Sequence, residues 1–340
     1  MLRNEVKEAL FKTRLFAEDK AYVLVDGQYG STGKGLVASV LAEAYAGHVD
    51  LVTSNAGPNS GHTSYFGDEK VVLMQLPTFA VHQALMGYEN NVLMNAGAII
   101  KPERYKDEKA LYPNVNARVH PSAALVTDEA LEVEKNLVDA VGSTGKGTGA
   151  ALAAKIMRQG PIAKSQADLG LGFLTSFNTA LVEVSQGFSL GINQGFYPHC
   201  TSRECTVQQA MADAEIHPSR YGGSIMVVRT YPIRVAGNSG PCYYDQHEIS
   251  WDDLGVEPER TTVTNKVRRV FTWSDAQFRR AVYVNRPEVL FVNFVNYLPT
   301  GAVPHFIDQR VKPIYNEVMG KDPEAILLGF GPKNEDVRAY

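Results

Sequence analysis

Tyr22-Val23-Leu24-Val25-Asp26-Gly27-Gln28-Tyr29-Gly30-Ser31-Thr32-Gly33-Lys34-Gly35 is an apolar strand that runs into a glycine-rich turn, ends in a lysine and opens a helix. Turns of this kind hold phosphate. Glycines let backbone N–H groups approach an anion closely, the helix N-terminus adds partial positive charge, and a lysine placed there neutralises phosphate oxygens. The spacing departs from the common nucleotide loop G-x-x-x-x-G-K-[ST]. Five residues separate Gly27 from Gly33, and Gly35 stands where the magnesium-holding hydroxyl residue belongs. Metal ligands must then come from backbone carbonyls, from elsewhere in the chain, or from the nucleotide. A plain strand-to-helix turn with a solvated lysine accounts less well for three glycines and a lysine within Gly30 to Gly35.

Outward from that loop, short β-branched runs alternate with helical stretches. The runs are Tyr22 to Val25, Val71 to Leu73, Val92 to Met94, Leu181 to Val184, Ile225 to Val228 and Leu290 to Val295. This alternation predicts a largely parallel sheet covered by helices. Leu36, Val37, Val40 and Leu41 give the helix after the loop one apolar face for packing on that sheet. Leu131 to Val141 reads as a further helix ending at Gly142. With no proline- or serine-rich linker, the expectation is one α/β domain over residues 1–340, P-loop-NTPase-like, with flanking helices and long active-site loops. Gly237 to Pro241 and Glu257 to Val270 are the loops singled out.

The chain has 340 residues, 44% of them hydrophobic, enough for a large core. Its 33 basic and 37 acidic residues give a formal charge of -4, which recommends neither a nucleic-acid nor an anionic-membrane surface. An acidic ligand therefore needs a local basic pocket. Cys200, Cys205 and Cys242 are odd in number, and the N-terminal residues lack an apolar leader, so a reducing cytoplasm is expected. His199 and Cys200 with Cys205 have no second Cys/His pair at matching spacing to form a metal cluster.

The hexapeptide GSTGKG occurs at Gly30 to Gly35 and again at Gly142 to Gly147. The flanks differ, one following a strand and the other a helix. Two separate anion sites explain this better than a duplication, and they imply a donor and an acceptor nucleotide.

A second block, Asn55-Ala56-Gly57-Pro58-Asn59-Ser60-Gly61-His62-Thr63, makes a resemblance specific. Together, GQYGSTGKG and NSGHT resemble the glycine-rich loop and N-A-G-H-T block of the adenylosuccinate synthetases. The similarity continues in colinear order through Gly142 to Gly149, Ser185 to Gly187, Tyr197 to Ser202, Thr262 to Arg269 and Gly329 to Pro332. The resemblance implies a ligase that phosphorylates the 6-oxygen of a purine nucleotide and lets the amine of aspartate displace the phosphate.

It also implies roles. Lys34, with Gly30, Thr32, Gly33, Gly35, Gly61, His62 and Thr63, would bind the donor's phosphates, and Asn293, Asn296, Gly331 and Pro332 would lie at its base. The Gly61 carbonyl, with Ser31, would hold Mg2+. His62 would act as acid towards the transferring phosphate, and Gln186 would orient the purine 6-oxygen. Asn59, Ser143, Thr144 and Thr201 would hold the acceptor's 5′-phosphate, with Arg158 reaching in from the neighbouring subunit of a homodimer. Arg268, supported by Thr264 and Lys266, would grip the aspartate carboxylate with a guanidinium fork.

Three positions depart from the family pattern. Ser31 occupies the place of the aspartate that serves as general base at purine N1 and as a metal ligand, and a serine hydroxyl performs neither task unaided. A smaller neutral residue leaves room beside purine C2, where guanine carries an amino group. This resembles the viral branch of the family, the 2-aminoadenylosuccinate synthetases, which use dGMP. Phe291 to Asn296 lacks the carboxylate that accepts from the guanine of GTP, which favours ATP, or dATP, as donor. Lys266 replaces an arginine near the acceptor ribose. The expected reaction therefore joins L-aspartate to dGMP with ATP. A conventional synthetase using IMP and GTP, and a non-catalytic nucleotide-binding homologue, are the alternatives.

Overall fold

The structure is a computed structural model that describes residues 1–163, 177–261 and 265–340. Among these residues, nine strands form the main sheet. In chain order they are β1 (Lys20–Asp26), β2 (Leu51–Ser54), β3 (Asn91–Met94), β4 (Asn116–Val119) and β5 (Thr179–Glu183). The remaining four are β6 (Tyr221–Arg229), β7 (Val289–Asn293), β8 (Ala325–Gly329) and β9 (Val337–Ala339). Their spatial order is β9-β8-β7-β6-β1-β5-β2-β3-β4. Every pairing is parallel except β8 with β9.

β1 lies in the interior of this sheet and is buried on both sides. Tyr22 and Leu24 enter one core, while Ala21, Val23 and Val25 enter the other. That is why its sequence is a continuous apolar run rather than an alternating one. The glycine turn leaves the carboxyl end of this strand, in the crevice where parallel α/β sheets place ligands.

Five of the six runs read as strands fall in the main sheet. Val71 to Leu73 does not: it belongs to Glu69–Leu73, which pairs antiparallel with His62–Phe66. Gly67, at φ 60°, makes the tight reversal between them. β7 stops at Asn293 because Phe294 turns left-handed (φ 57°) and Val295–Tyr297 forms a 3-10 turn.

The helix after the loop, α1 (Lys34–Ala44), is buried almost all round rather than on one face, because α2 (Thr78–Leu85) and strand His62–Phe66 pack against it. The helix read over Leu131 to Val141 breaks at Asn136 into α3 (Asp128–Lys135) and α4 (Leu137–Val141), which Gly142 ends at φ 70°. α5 (Thr148–Ile156) follows the second GSTGKG. Among the described residues, no helix is long and apolar enough to cross a membrane.

Candidate active site

β1 ends at Asp26, a fully buried carboxylate. Its Oδ1 accepts the backbone N–H of Gln28 at 2.8 Å and of Gly30 at 3.2 Å. Its Oδ2 accepts the Thr32 hydroxyl and, at 3.2 Å, the Lys34 ammonium. The carboxylate thus folds the turn from beneath, as Asx side chains organise the backbone that follows them. Lys34 also donates to the Gln186 carbonyl at 2.6 Å, so this buried cation is paired and hydrogen-bonded. Thr32 is turned inward to Asp26, which leaves the backbone of that residue, not its hydroxyl, for a donor nucleotide. The sequence carried one signal for Asp26, a carboxylate directly before the glycines.

The missing hydroxyl after Lys34 has a steric cause. A Cβ on Gly35 would collide with the carbonyl oxygen of Thr63, because the strand starting at His62 crosses the first turn of α1. The same crossing brings His62 towards Lys34. Burial, and secondarily the Lys34 charge, lower the His62 pKa from 6.5 to about 3, so the imidazole is neutral in the ligand-free protein.

Ser185 to Gly187 closes on the glycine turn from the end of β5. Gln186 adopts φ 67° and its side-chain amide donates to the Asn59 carbonyl at 3.3 Å. Gly187 passes so close to Gly30 that a Cβ would strike the Gly30 nitrogen. Glu183, unnoticed in the sequence, accepts the N–H groups of Thr78 (3.0 Å) and Phe79 (2.7 Å) at the start of α2. Burial raises its pKa to about 7 against the lowering effect of those two bonds and of Lys34.

Ser31 is exposed at φ 54°, and its carbonyl accepts Arg229 Nη1 at 3.0 Å. Arg229 is wholly buried at the end of β6. It forks onto Glu259, and its guanidinium lies 3.8 Å from the centroid of the Phe294 ring. Glu259 in turn accepts the Tyr297 hydroxyl at 3.1 Å, and its carbonyl accepts the Arg268 N–H at 2.8 Å. One buried arginine therefore connects the glycine turn to the segment expected to grip aspartate. Arg268 is half-buried beside that pair, whereas Arg269 is tied to Glu248 and the Gly240 carbonyl. Lys266 is exposed, and Thr264 lies outside the described residues.

On the donor side, Asn293 is buried and gives its amide to the Thr32 carbonyl at 3.0 Å, so it supports the loop rather than facing a base. Asn296 is exposed on the following turn, and Gly331 and Pro332 lie on the loop after β8.

The second GSTGKG differs from its expected form. Glu134 of α3 is buried and accepts the N–H groups of Gly147 (2.7 Å), Gly149 and Ala150 (3.2 Å). The anion seat at the start of α5 thus holds a carboxylate of the chain itself, and Ser143 is half-buried and Thr144 exposed on the turn before it. A Cβ on Gly142 would meet the Asn238 carbonyl oxygen at 2.8 Å, so the Gly237 to Pro241 loop packs directly on this turn. The opposite rim is set by Thr201, whose N–H donates to the Leu190 carbonyl at 2.6 Å, and by Asn59.

The sequence matches the model of the family described as adenylosuccinate synthetase over residues 23–169 and 172–301. The chain belongs to the adenylosuccinate synthetase family. It is 37% identical over 344 residues to N6-succino-2-amino-2′-deoxyadenylate synthase of Vibrio phage phiVC8, covering 93% of this chain and 96% of the relative. It is also 30% identical over 339 residues to the adenylosuccinate synthetase of Pyrococcus sp. (strain ST700), covering 93% and 97% respectively. Among solved structures it is similar to the cyanophage S-2L succinoaminodeoxyadenylate synthetase (PurZ) bound to dGMP and dATP as an energy donor. That match has a TM-score of 0.82 and 32% identity, over 94% of this chain and 95% of the other.

Members of the adenylosuccinate synthetase family are ligases that form a C–N bond with aspartate, and the motifs of this member converge around one turn. Asp26, Lys34, Gln186 and Asn59 are joined by direct hydrogen bonds. Arg158 stands apart, exposed just beyond α5. Nine helical residues span roughly 13 Å at about 1.5 Å each, which separates it from the loop of its own chain. Among the described residues, no cluster of three His, Cys, Asp or Glu side chains suited to a metal is present. The oxygens on offer are neutral, the carbonyl of the exposed Gly61 and the Ser31 hydroxyl. That donor set fits a Mg2+ ion whose charge is met by substrate phosphates.

Proposed function

We propose that the protein is an ATP-dependent ligase joining L-aspartate to C6 of dGMP, giving N6-succino-2-amino-2′-deoxyadenylate, ADP and phosphate, with dATP as an alternative donor. The carrying observation is Ser31. It is a small neutral residue on the surface of the turn, its backbone pinned by Arg229, at the position where the family pattern has a carboxylate. The pinned backbone argues that the turn keeps its shape without the carboxylate, and space is left for an exocyclic amine. The phage relatives' name and the nucleotides bound by PurZ support the same reading.

In this reading the γ-phosphoryl group passes to O6 as the N1 proton passes to water, the aspartate amine adds at C6 and gives up a proton to water, and phosphate departs with the C–O electron pair. A phosphorylated oxygen leaves readily where a carbonyl oxygen does not. Lys34 meets the donor phosphates, and Gln186 orients O6. His62 starts as a neutral donor, and the negative charge of bound phosphates favours its protonated, acid form. Asn59, Ser143, Thr144 and Thr201 hold the acceptor phosphate with Arg158 of a second subunit, and Arg268 takes the aspartate carboxylate with Thr264 and Lys266 beside it. The Gly61 carbonyl and Ser31 would hold Mg2+, which would supply charge neutralisation for the triphosphate.

The test is incubation with aspartate and magnesium, crossing dGMP and IMP with ATP, dATP and GTP, and reading products by mass spectrometry. A succinylated product from dGMP with ATP or dATP is expected. Product from IMP with GTP alone overturns the assignment.

A further inference from the structure

Arg203 is 7% exposed, two residues beyond Thr201. Its Nη1 donates to the carbonyls of Asn55 and, at 2.9 Å, Gly97, which fixes the guanidinium plane. Its other donors are unspent: Nε and Nη2 are buried with no hydrogen-bond partner among the described residues. Nor does any described carboxylate form an ion pair with it, since Glu204 turns to the Asn193 N–H and Asp213 to Asn55 and Gln209. Asp213 acts on Arg203 electrostatically but makes no contact with it, so Nε and Nη2, buried and unpartnered, are left to meet an anion supplied from outside the chain.

The surroundings say where that anion sits. The point at which a Cβ on Gly57 would lie is 2.9 Å from Arg203 Nη2, 3.2 Å from Asn59 Oδ1 and 3.6 Å from the methyl of Thr148. Asn59 Oδ1 and the Thr148 hydroxyl are likewise buried without partners. Three unpartnered side chains from three motifs thus gather under one glycine, where any side chain would fill the gap. The Gly147, Gly149 and Ala150 N–H groups next to them already donate to Glu134.

We infer that Arg203 is the same-subunit counter-ion of the acceptor's 5′-phosphate, a positioning residue whose charge acts through the Gly57 to Asn59 turn on the dianion held by Asn59. The inference deepens the acceptor reading given above and rests on it. Its class of ligand is a nucleoside monophosphate, and the phosphate rather than the base is what Arg203 recognises.

Calorimetric binding of dGMP and of deoxyguanosine to the full chain, without donor, distinguishes this role from simple support of the loop. Arg203→Gln keeps an N–H for the two carbonyls but removes the charge. It is expected to weaken dGMP about 30-fold, as loss of a buried charge-assisted contact does. Deoxyguanosine affinity should stay within about threefold, and Arg203→Lys should fall between wild type and Arg203→Gln for dGMP. Equal weakening of nucleotide and nucleoside, or of neither, overturns the inference. If the variants do not fold, a crystal structure of the wild type with dGMP decides: Nη2 within about 6 Å of the phosphorus supports the role, and a greater separation ends it. Should IMP bind in place of dGMP, the acceptor reading fails, and the same comparison run with IMP and inosine still tests Arg203.

Discussion

Lys34 Nζ lies 3.2 Å from Asp26 Oδ2, so the cation proposed to meet the donor's phosphates is held in place by a carboxylate at the end of β1. The pair is buried on both sides, which makes each partner a liability without the other. Asp26→Asn is expected to lower the unfolding free energy in urea by about 3 kcal/mol. Lys34→Met should cost a similar amount alone, and the double variant should fall well short of the sum. Additive effects would mean that the two side chains do not depend on each other.

Ser31→Asp restores the carboxylate of the family pattern at the position proposed to face the purine. The ratio of kcat/KM for dGMP over IMP should drop at least about tenfold, as expected for crowding or desolvating one exocyclic amine. An unchanged ratio removes Ser31 as the discriminating residue.

His62 sets a pH dependence of stability. Its folded pKa of about 3 lies below the ordinary 6.5, so between these values the unfolded chain binds more protons than the folded one. Its contribution is complete above about pH 6.5 and is lost as the pH falls towards 3. His62→Gln should therefore flatten the fall in stability across that window by up to about 1.4 kcal/mol per pH unit. His82, lowered to about 4 by burial, leaves a residual slope in both proteins. Parallel denaturation curves for wild type and variant between pH 4 and 6.5 contradict this account.

Gly35→Ser supplies the hydroxyl of the common nucleotide loop, yet the Thr63 carbonyl occupies its path. The expected result is a loss of about 2 kcal/mol or more of stability by overpacking, with no gain in magnesium affinity. Tighter metal binding in a fully stable variant would show that the strand from His62 yields easily.

Much of the architecture was legible because β1, β6 and β7 are continuous apolar runs that only a doubly covered sheet accommodates. Val71 to Leu73 misled because a three-residue β-branched run says nothing about which sheet it joins. At the site, Lys34, His62 and Gln186 announced themselves through glycine-flanked motifs. Glu134, Glu183, Arg203 and Arg229 did not, since each is an ordinary charged residue whose partners come from distant segments or from backbone N–H groups. The expectation of an open anion seat at Gly142 to Gly147 missed a plug thirteen residues upstream, Glu134 to Gly147, which no local spacing rule reveals.

The contact between Gly187 and Gly30, where a Cβ on Gly187 would strike the Gly30 nitrogen, has a practical outcome for protein engineers. Grafting the nucleotide turn of a relative into this scaffold requires moving the Ser185 to Gly187 hairpin-like bend with it. Chimeras that exchange one without the other should come out insoluble, whereas paired transplants keep the scaffold whole.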